Sequence, residues 1–376
     1  MKHQKHAKLT KPNQGFFARN EISFLGSNCN RIQQIAQCIA NSLNNQFNIG
    51  YVDADHASHD DEGEVDNPIF KRELTDKISY HQFDTHPKSS VTQRHTFFGD
   101  CDLVFVNGNH ERANNQIVII DPKKEASLIK RKDSLTNVIA LIGIDSEEIP
   151  AYIKEVLPNY NELPLFLEED QQALSSFTKE FLATKIPKIN GLILGGGKST
   201  RMGVDKLTMD YHGTSQLNYL NELLRPVCEQ VFVSLAHDQE IENTISDTFM
   251  GLGPYGGILS AFQKDPNSAW FSVPCDVPLL DKKTVNTLVS KRDTSKVATC
   301  FYNSETDFPE PLITIWEPKA YPILLHYLSQ GYSCPRKVLI NTDVAIVKLE
   351  DESVLMNANT AEDRDLAASL LSKTTS

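Results

Sequence analysis

The sequence predicts two α/β domains in tandem. Short apolar runs of strand length alternate with stretches of helical periodicity from Glu21 to Leu182, and the alternation restarts at Ile189. Each half opens with a strand that runs into small residues, Gly26-Ser27-Asn28 in the first and Gly195-Gly196-Gly197 in the second. A chain of 376 residues suits two domains better than one.

In the first half, Glu21-Ile22-Ser23-Phe24-Leu25 reads as a strand. Apolar positions at Ile32, Ile35, Ala36, Ile39, Ala40 and Leu43 follow at the 3-4 spacing of an amphipathic helix. Ile49-Gly50-Tyr51-Val52 is the next strand, completing a β-loop-α-β unit. Further strands are expected at Ile78 to Phe83, Leu103 to Val106, Ile117 to Ile120 and Val138 to Ile142. A helix is expected from Glu147 to Val156, a short strand near Leu163 to Phe166, and a closing helix over Gln171 to Leu182. The first dozen residues read as a frayed polar tail, and the acidic stretch from Ala57 to Val65 as a loop. Lys185-Ile186-Pro187-Lys188 is the expected hinge, which sets domains of 1–186 and 187–376.

Composition narrows the class. Hydrophobic content of 40% and charged content of 23% are ordinary for a soluble globular protein. A net charge of −12 argues against a nucleic-acid or anionic-membrane binder. No apolar run approaches the roughly 18 residues that cross a bilayer. The basic start, Met1-Lys2-His3-Gln4-Lys5-His6, leads into no apolar region of a secretory signal. Seven cysteines, at 29, 38, 101, 228, 275, 300 and 334, form no CxxC pair, so reduced thiols and a cytoplasmic location are expected.

The second half carries the chemistry. Asn190-Gly191-Leu192-Ile193-Leu194 runs directly into Gly195-Gly196-Gly197-Lys198-Ser199-Thr200-Arg201-Met202-Gly203. Successive glycines after a strand permit positive φ and close approach to a ligand. Their N–H groups can converge into an anion-binding nest for a triphosphate. Arg201 and Lys206 supply the positive charge that a penta-coordinate phosphorus centre needs. Trp270 to Pro274 reads as a buried strand that delivers Asp276 to its carboxyl end, where open α/β sheets hold their ligands. A carboxylate there suits Mg²⁺, which takes few protein carboxylates and several phosphate oxygens. Gly253-Pro254-Tyr255-Gly256-Gly257 brings small residues to a helix N-terminus, a favourable place for an anion or a polar base edge.

Leu194 to Lys206, Gly253 to Gly257, Pro274-Cys275-Asp276-Val277-Pro278 and Asn357-Ala358-Asn359-Thr360, in that order and spacing, resemble the molybdenum cofactor guanylyltransferases, the MobA family. The resemblance covers the whole second domain. It implies a Rossmann-like nucleotidyltransferase domain that transfers GMP from GTP to the phosphate of molybdopterin and releases pyrophosphate. It assigns GTP binding to Leu194, Gly195, Gly196, Lys206, Asp247 and Asp276, beside the nest glycine Gly197. Asp276 and Asn359 would hold Mg²⁺, with Arg201, Lys206 and Asp276 as the catalytic set. Ser234 stands where the family tends to place an Asn. Pro309-Glu310-Pro311-Leu312 and Gly331 to Lys337 fall where the family lines its pterin pocket. Arg336 and Lys337 there are either holders of the pterin phosphate or exposed charges capping a short helix.

The first half resembles MobB, the GTP-binding partner of the same pathway, in outline: a P-loop-like α/β domain. At the expected phosphate loop Gly26 is followed by Arg31, Ile32 and Gln33 where GxxxxGK[ST] places Gly, Lys and Ser/Thr. Asn107 replaces an expected carboxylate. The domain therefore reads as one that has lost NTP hydrolysis and keeps a docking role for a partner, a cofactor or another subunit. Asp53, Asp55, His56 and His59 admit a metal cluster, but no fourth ligand is fixed and a solvated acidic loop is the preferred reading. Two rivals stand beside the main reading: a nucleotidyltransferase using CTP or a sugar-phosphate acceptor, and a non-catalytic protein that binds and delivers the molybdenum cofactor, with a molybdoenzyme or a delivery protein as partner.

Base choice is tested at Gly196, where the family's cytidylyltransferase cousins carry alanine. Gly196→Ala should lower the GTP/CTP ratio of kcat/KM by about 10- to 200-fold, the scale of one small steric change. Competition kinetics decide it. An unchanged ratio means that Gly196 serves only its backbone angles.

Overall fold

The computed structural model describes residues 15–54, 70–195, 206–235 and 242–374. The chain divides into two compact units, Met1–Lys185 and Ile186–Ser376. No helix among the described residues is long and apolar enough to cross a membrane. The expected frayed tail and acidic loop lie outside the described residues, as do Asp55, His56 and His59.

The first unit runs β1 (Glu21–Leu25), α1 (Cys29–Leu43), β2 (Ile49–Val52), β3 (Arg72–Asp76), β4 (His81–Thr85), α2 (Val91–Phe97), β5 (Leu103–Asn107), β6 (Asn115–Ile120), α3 (Glu125–Lys130), β7 (Val138–Gly143), α4 (Ala151–Val156), β8 (Leu165–Leu167) and α5 (Gln171–Thr184). Its main sheet has the order β2-β5-β1-β6-β7-β8 and is parallel throughout. Parallel sheets are covered on both faces, which is why strands such as Leu103-Val104-Phe105-Val106 are apolar without alternation. On one face α1 (Ile32, Ile35, Ile39) and α5 (Leu174, Leu182) pack on Ile22, Phe24 and Phe105. On the other, Leu128 of α3 and Ile153 of α4 pack on Leu25, Val118 and Leu141.

Two expectations change here. The apolar stretch expected as one strand over 78–83 is the turn and second arm of a hairpin: β3 pairs antiparallel with β4. Ile78 sits at the turn with φ 70 and is fully exposed, and its amide donates to Asp76 Oδ1 at 2.8 Å. The helix expected from Glu147 begins only at Ala151, because Pro150 disfavours helical backbone at the residue before it.

The second unit runs β9 (Ile189–Leu194), α6 (Gln216–Leu224), β10 (Val231–Leu235), β11 (Thr244–Ser246), α7 (Pro254–Lys264), β12 (Ala269–Pro274), α8 (Lys282–Ser290), β13 (Ala298–Asn303), β14 (Phe308–Trp316), α9 (Ala320–Ser329), α10 (Pro335–Ile340), β15 (Ala345–Val347) and α11 (Ala361–Thr374). The sheet order is β11-β10-β9-β12-β14-β13-β15. The first four neighbours are parallel, the Rossmann-like part, and β14 runs antiparallel to both β12 and β13. Alternate residues of β9 serve opposite faces: Ile193 joins the α6 and α8 side with Leu220 and Leu288. Leu192 and Leu194 join the α7, α9 and α10 side with Ile258, Leu324 and Val338. The carboxyl ends of β9, β10 and β12 therefore meet at one edge.

A buried ion pair closes the far side of this sheet. Arg292 donates from Nε to Glu317 Oε1 at 2.6 Å and from Nη2 to Oε2 at 2.8 Å. Glu317 is 1% exposed, and burial pushes its carboxyl up while Arg292 pulls it back. Arg292→Met strands that carboxylate and should destabilise the unit by about 3–5 kcal/mol. Both tryptophans, Trp270 and Trp316, lie in this unit, so denaturant unfolding followed by fluorescence reads it selectively. A loss under about 1 kcal/mol, the worth of an exposed pair, would refute the assignment.

Candidate functional site

The site is built where β9 and β12 end side by side. Pro274 stands opposite Leu194 in the parallel register, and the Cys275 amide donates to the Leu194 carbonyl at 3.3 Å. This places Leu194-Gly195 next to Asp276. Gly195 is needed for closeness rather than for positive φ: a Cβ there would lie 2.9 Å from Leu207 Cδ1 and 3.1 Å from Leu235 Cδ2. Gly196, Gly197 and Arg201 lie outside the described residues.

Lys206 joins three segments. Its Nζ donates to Asp276 Oδ2 at 2.9 Å and to Asn359 Oδ1 at 2.7 Å. The other Asp276 oxygen, Oδ1, is buried and has no hydrogen-bond partner among the described residues. Leaving a buried carboxylate oxygen unmatched is costly, so such an atom marks a place where a further group is expected. The Asp276 carbonyl accepts from the Ala358 amide at 2.8 Å, which ties the C-terminal segment to the strand end. Asn359 is held in turn by Asp363, whose Oδ2 accepts from the amides of Asn359 at 3.0 Å and Thr360 at 2.9 Å. Those backbone donors hold the Asp363 carboxyl below its ordinary value.

The loop that carries Asp276 is fastened from below by side chains that the sequence reading did not single out. Gln216 donates to the Val277 carbonyl at 3.4 Å and Tyr219 to the Leu280 carbonyl at 2.8 Å. His212 Nε2 lies 2.9 Å from the Pro278 carbonyl, and its ring stacks on Tyr219 at 3.6 Å between centroids. Burial pushes the His212 imidazole below its usual value, so the neutral ring donates its Nε2 proton to Pro278. Nothing in spacing alone marks these residues: Gln216 and Tyr219 are ordinary polar groups of α6, and His212 lies in the bend before it, until the chain folds over them.

Asp247 sits just past β11, with its amide on the Leu235 carbonyl at 3.0 Å. Its Oδ1 accepts the Ser234 hydroxyl at 2.6 Å. Burial raises the Asp247 carboxyl, and Ser234 opposes that rise. Ser234 thus works on Asp247. The glycines at the start of α7 are filled by the protein itself: a Cβ at Gly256 would stand 2.3 Å from the Phe249 carbonyl oxygen, and one at Gly257 2.4 Å from Ser234 Oγ. Gly257 seats α7 against β10, and Gly256 lets the helix start close on the segment that leads into it.

The two cations expected near an acceptor part company. Arg336 is half-buried on α10, and its Nε has no hydrogen-bond partner among the described residues. Nearby Glu310, 5% exposed, is pushed up by burial, while the Leu312 amide, the Arg336 guanidinium and Asn303 pull it down. The Asp276 carboxylate also acts on Glu310, so Arg336, Glu310 and Asp276 share one electrostatic neighbourhood. Lys337 turns elsewhere, its ammonium 4.9 Å over the Tyr332 ring.

A strand-end carboxylate, a lysine bridging it to an asparagine and Gly195 beside them make up the candidate site, and comparison with known proteins shows what the surrounding region is similar to. Residues 191–345 match the MobA-like NTP transferase domain. A molybdenum cofactor biosynthesis bifunctional protein from Synechocystis sp. is 35% identical over 179 residues, 46% of this chain and 52% of that protein. The chain thus spans about half the length of that relative. A probable molybdenum cofactor guanylyltransferase from Carboxydothermus hydrogenoformans is 28% identical over 181 residues, 46% of this chain and 90% of that one. A solved MobB protein homolog from Bacillus stearothermophilus covers 44% of this chain and 99% of its own at 16% identity, with a TM-score of 0.31.

Within the MobA-like domain, the link between Ser234 and Asp247 has a pH signature. A carboxyl raised by burial contributes stability below its ordinary range, and that contribution is lost as pH rises through the folded value. Ser234 offsets the loss by donating to the ionised form. Ser234→Ala should therefore raise the Asp247 carboxyl further, and its stability deficit should be larger at neutral pH than near the ordinary aspartate value of about 4. Carboxyl-carbon NMR titration with unfolding at both pH values checks this. A deficit that does not change with pH would remove Ser234 from that role.

Proposed function

We propose that the second unit transfers GMP from GTP to the terminal phosphate of molybdopterin, forming molybdopterin guanine dinucleotide and pyrophosphate. The observation that carries this reading is the Lys206–Asp276–Asn359 junction with its unmatched Asp276 oxygen, inside a MobA-like domain whose relatives are named as guanylyltransferases.

The donor set fits Mg²⁺. Asp276 Oδ1 and Asn359 Oδ1 are hard oxygen ligands, and a hard cation with few protein ligands keeps positions for phosphate oxygens. When bound, Mg²⁺ neutralises charge developing on the transferred phosphoryl group. The remaining work falls to the chain. Leu194, Gly195, Gly196 and Gly197 bring backbone close to the nucleotide, and Asp247 holds its far side. Lys206 is a point charge held beside the carboxylate, positioned to turn to phosphate oxygens, and Arg201 adds a second cation. Arg336, in the electrostatic neighbourhood of Glu310, offers its Nε to the acceptor phosphate, and Lys337 would have to leave the Tyr332 ring to join it. We assign the enzyme to the cytoplasm, on its odd, scattered set of seven cysteines, with a molybdoenzyme or a delivery protein receiving the product.

The test uses the full chain with Mg²⁺, molybdopterin and each of GTP, CTP, ATP and UTP, with the dinucleotide identified by mass spectrometry. GTP should give the product, and Asp276→Asn should lower turnover at least about a hundredfold with the circular dichroism spectrum kept. Product from CTP alone reassigns the nucleotide. No dinucleotide with any of the four makes the chain a cofactor-binding protein, and near-normal turnover in Asp276→Asn removes that residue from the mechanism.

A further inference from the structure

The first unit gathers a second set of chemical groups at its own sheet edge. Strands β2, β5 and β1 are parallel neighbours, so the residues just past their carboxyl ends come together. Those residues are Asp53 after β2, His110 in the loop after β5, and Cys29, the first residue of α1. Cys29 Sγ lies 3.2 Å from His110 Nε2. The thiol, the imidazole nitrogen and an Asp53 carboxylate oxygen all lie within 4.8 Å of one another.

We propose that Cys29, Asp53 and His110 form a site for a borderline divalent cation of the Zn²⁺ class. A tetrahedral zinc ion with bonds of about 2.0–2.3 Å to sulfur, nitrogen and oxygen places its ligand atoms roughly 3.2–3.6 Å apart. The sulfur and nitrogen already stand at that spacing, and the carboxylate needs only a short approach. The mixed set selects the ion: a thiolate and an imidazole favour zinc or cobalt over Mg²⁺ or Ca²⁺. Among the described residues the set supplies three ligands, one fewer than a tetrahedral ion takes.

The surroundings hold the set in place as a second shell does. Asp53 Oδ1 accepts from Asn107 Nδ2 at 2.8 Å, and Oδ2 accepts from the Tyr51 hydroxyl at 2.8 Å. Asn107 is fully buried, and its Oδ1 accepts the Asn109 amide at 3.1 Å, which fixes which way its own amide points. Asn109 donates onward to the Ser27 carbonyl at 2.9 Å. Burial and the bond to Asp53 push the Tyr51 phenol upward, so it remains a donor.

The same loop has lost what a phosphate needs. Only Gly26 to Asn28 separate β1 from α1, and the Asn28 side chain caps the helix by accepting the Arg31 amide at 2.9 Å. Ser27 donates to Asp121 at 2.6 Å, and Arg31 pairs with Asp121 at 3.7 Å and Glu168 at 3.3 Å. The loop's cation is turned to carboxylates, while the Asp53 carboxylate brings negative charge to the strand ends. That arrangement attracts a cation and repels a triphosphate.

Cobalt titration of the full chain tests the proposal, because a thiolate bound to Co²⁺ gives a near-ultraviolet charge-transfer band that histidines and carboxylates elsewhere cannot give. The band should appear with one equivalent, disappear on adding Zn²⁺, and be absent in Cys29→Ser. His110→Gln should weaken cobalt binding, and Tyr51→Phe, which removes only a supporting donor, should weaken it about 10- to 100-fold. No band in the unaltered protein overturns the site, as does a band that survives in Cys29→Ser. If Cys29→Ser loses its circular dichroism, His110→Gln decides: an unchanged titration there means that Cys29 and His110 share only an S–H···N hydrogen bond.

Discussion

The ammonium of Lys206, held between Asp276 and Asn359, joins parts of the second unit that are far apart in the chain. Lys206 follows the glycine turn, Asp276 ends β12, and Asn359 precedes the last helix. A carboxylate oxygen and an amide oxygen both accept, so a donor must stand between them, and the fold supplies the Lys206 ammonium from its own chain. Each partner is then secured by a different device: the Ala358 amide on the Asp276 carbonyl, the Asp363 carboxylate on the Asn359 and Thr360 amides, and α6 side chains on the loop from Val277 to Leu280. A site built this way is stiff in its supports and adjustable at the one flexible side chain in its centre. That suits a reaction in which charge must be met where it develops.

Among the described residues, Asp276 keeps one oxygen unmatched while almost every neighbour is satisfied. A buried carboxylate oxygen without a partner is a stored cost, and it is placed where the proposed metal and phosphates would repay it. Arg336 shows the same pattern on the acceptor side, with an unmatched Nε beside a buried Glu310. Both groups are less stable as they stand than they would be with a ligand, which couples binding to the order of this edge.

The two units put one geometric rule to different chemical use. In each, parallel strands end at a common edge and the loops there carry the reactive groups. In the second unit the sequence after β9 is glycine-rich and leads to Lys206, and the chemistry proposed there is that of phosphate. In the first the loop after β1 is short, capped by Asn28, and its arginine is paired with carboxylates. What gathers there is sulfur, imidazole and carboxylate.

By itself, the sequence determined the tandem α/β plan, the Gly195 strand end, and Lys206 and Asp276 as separate candidate groups for phosphate and metal; that the two pair with each other came from the structure. Period-2 and period-3.6 patterns and strand-end motifs are local, and local patterns survive in one dimension. Asp247 and Asn359 were reached only through family resemblance, since neither stands in a pattern of its own. The tertiary structure alone decided which groups meet. It turned the apolar stretch at Ile78 into a hairpin turn, because a run of apolar letters does not say whether a strand or a bend holds it. It spent the smallness of Gly256 and Gly257 on seating α7, and it separated neighbouring Arg336 and Lys337, which point about 100° apart on a helix turn. It also brought Cys29 to His110 across 81 residues, a meeting set by strand order rather than by any spacing in the chain.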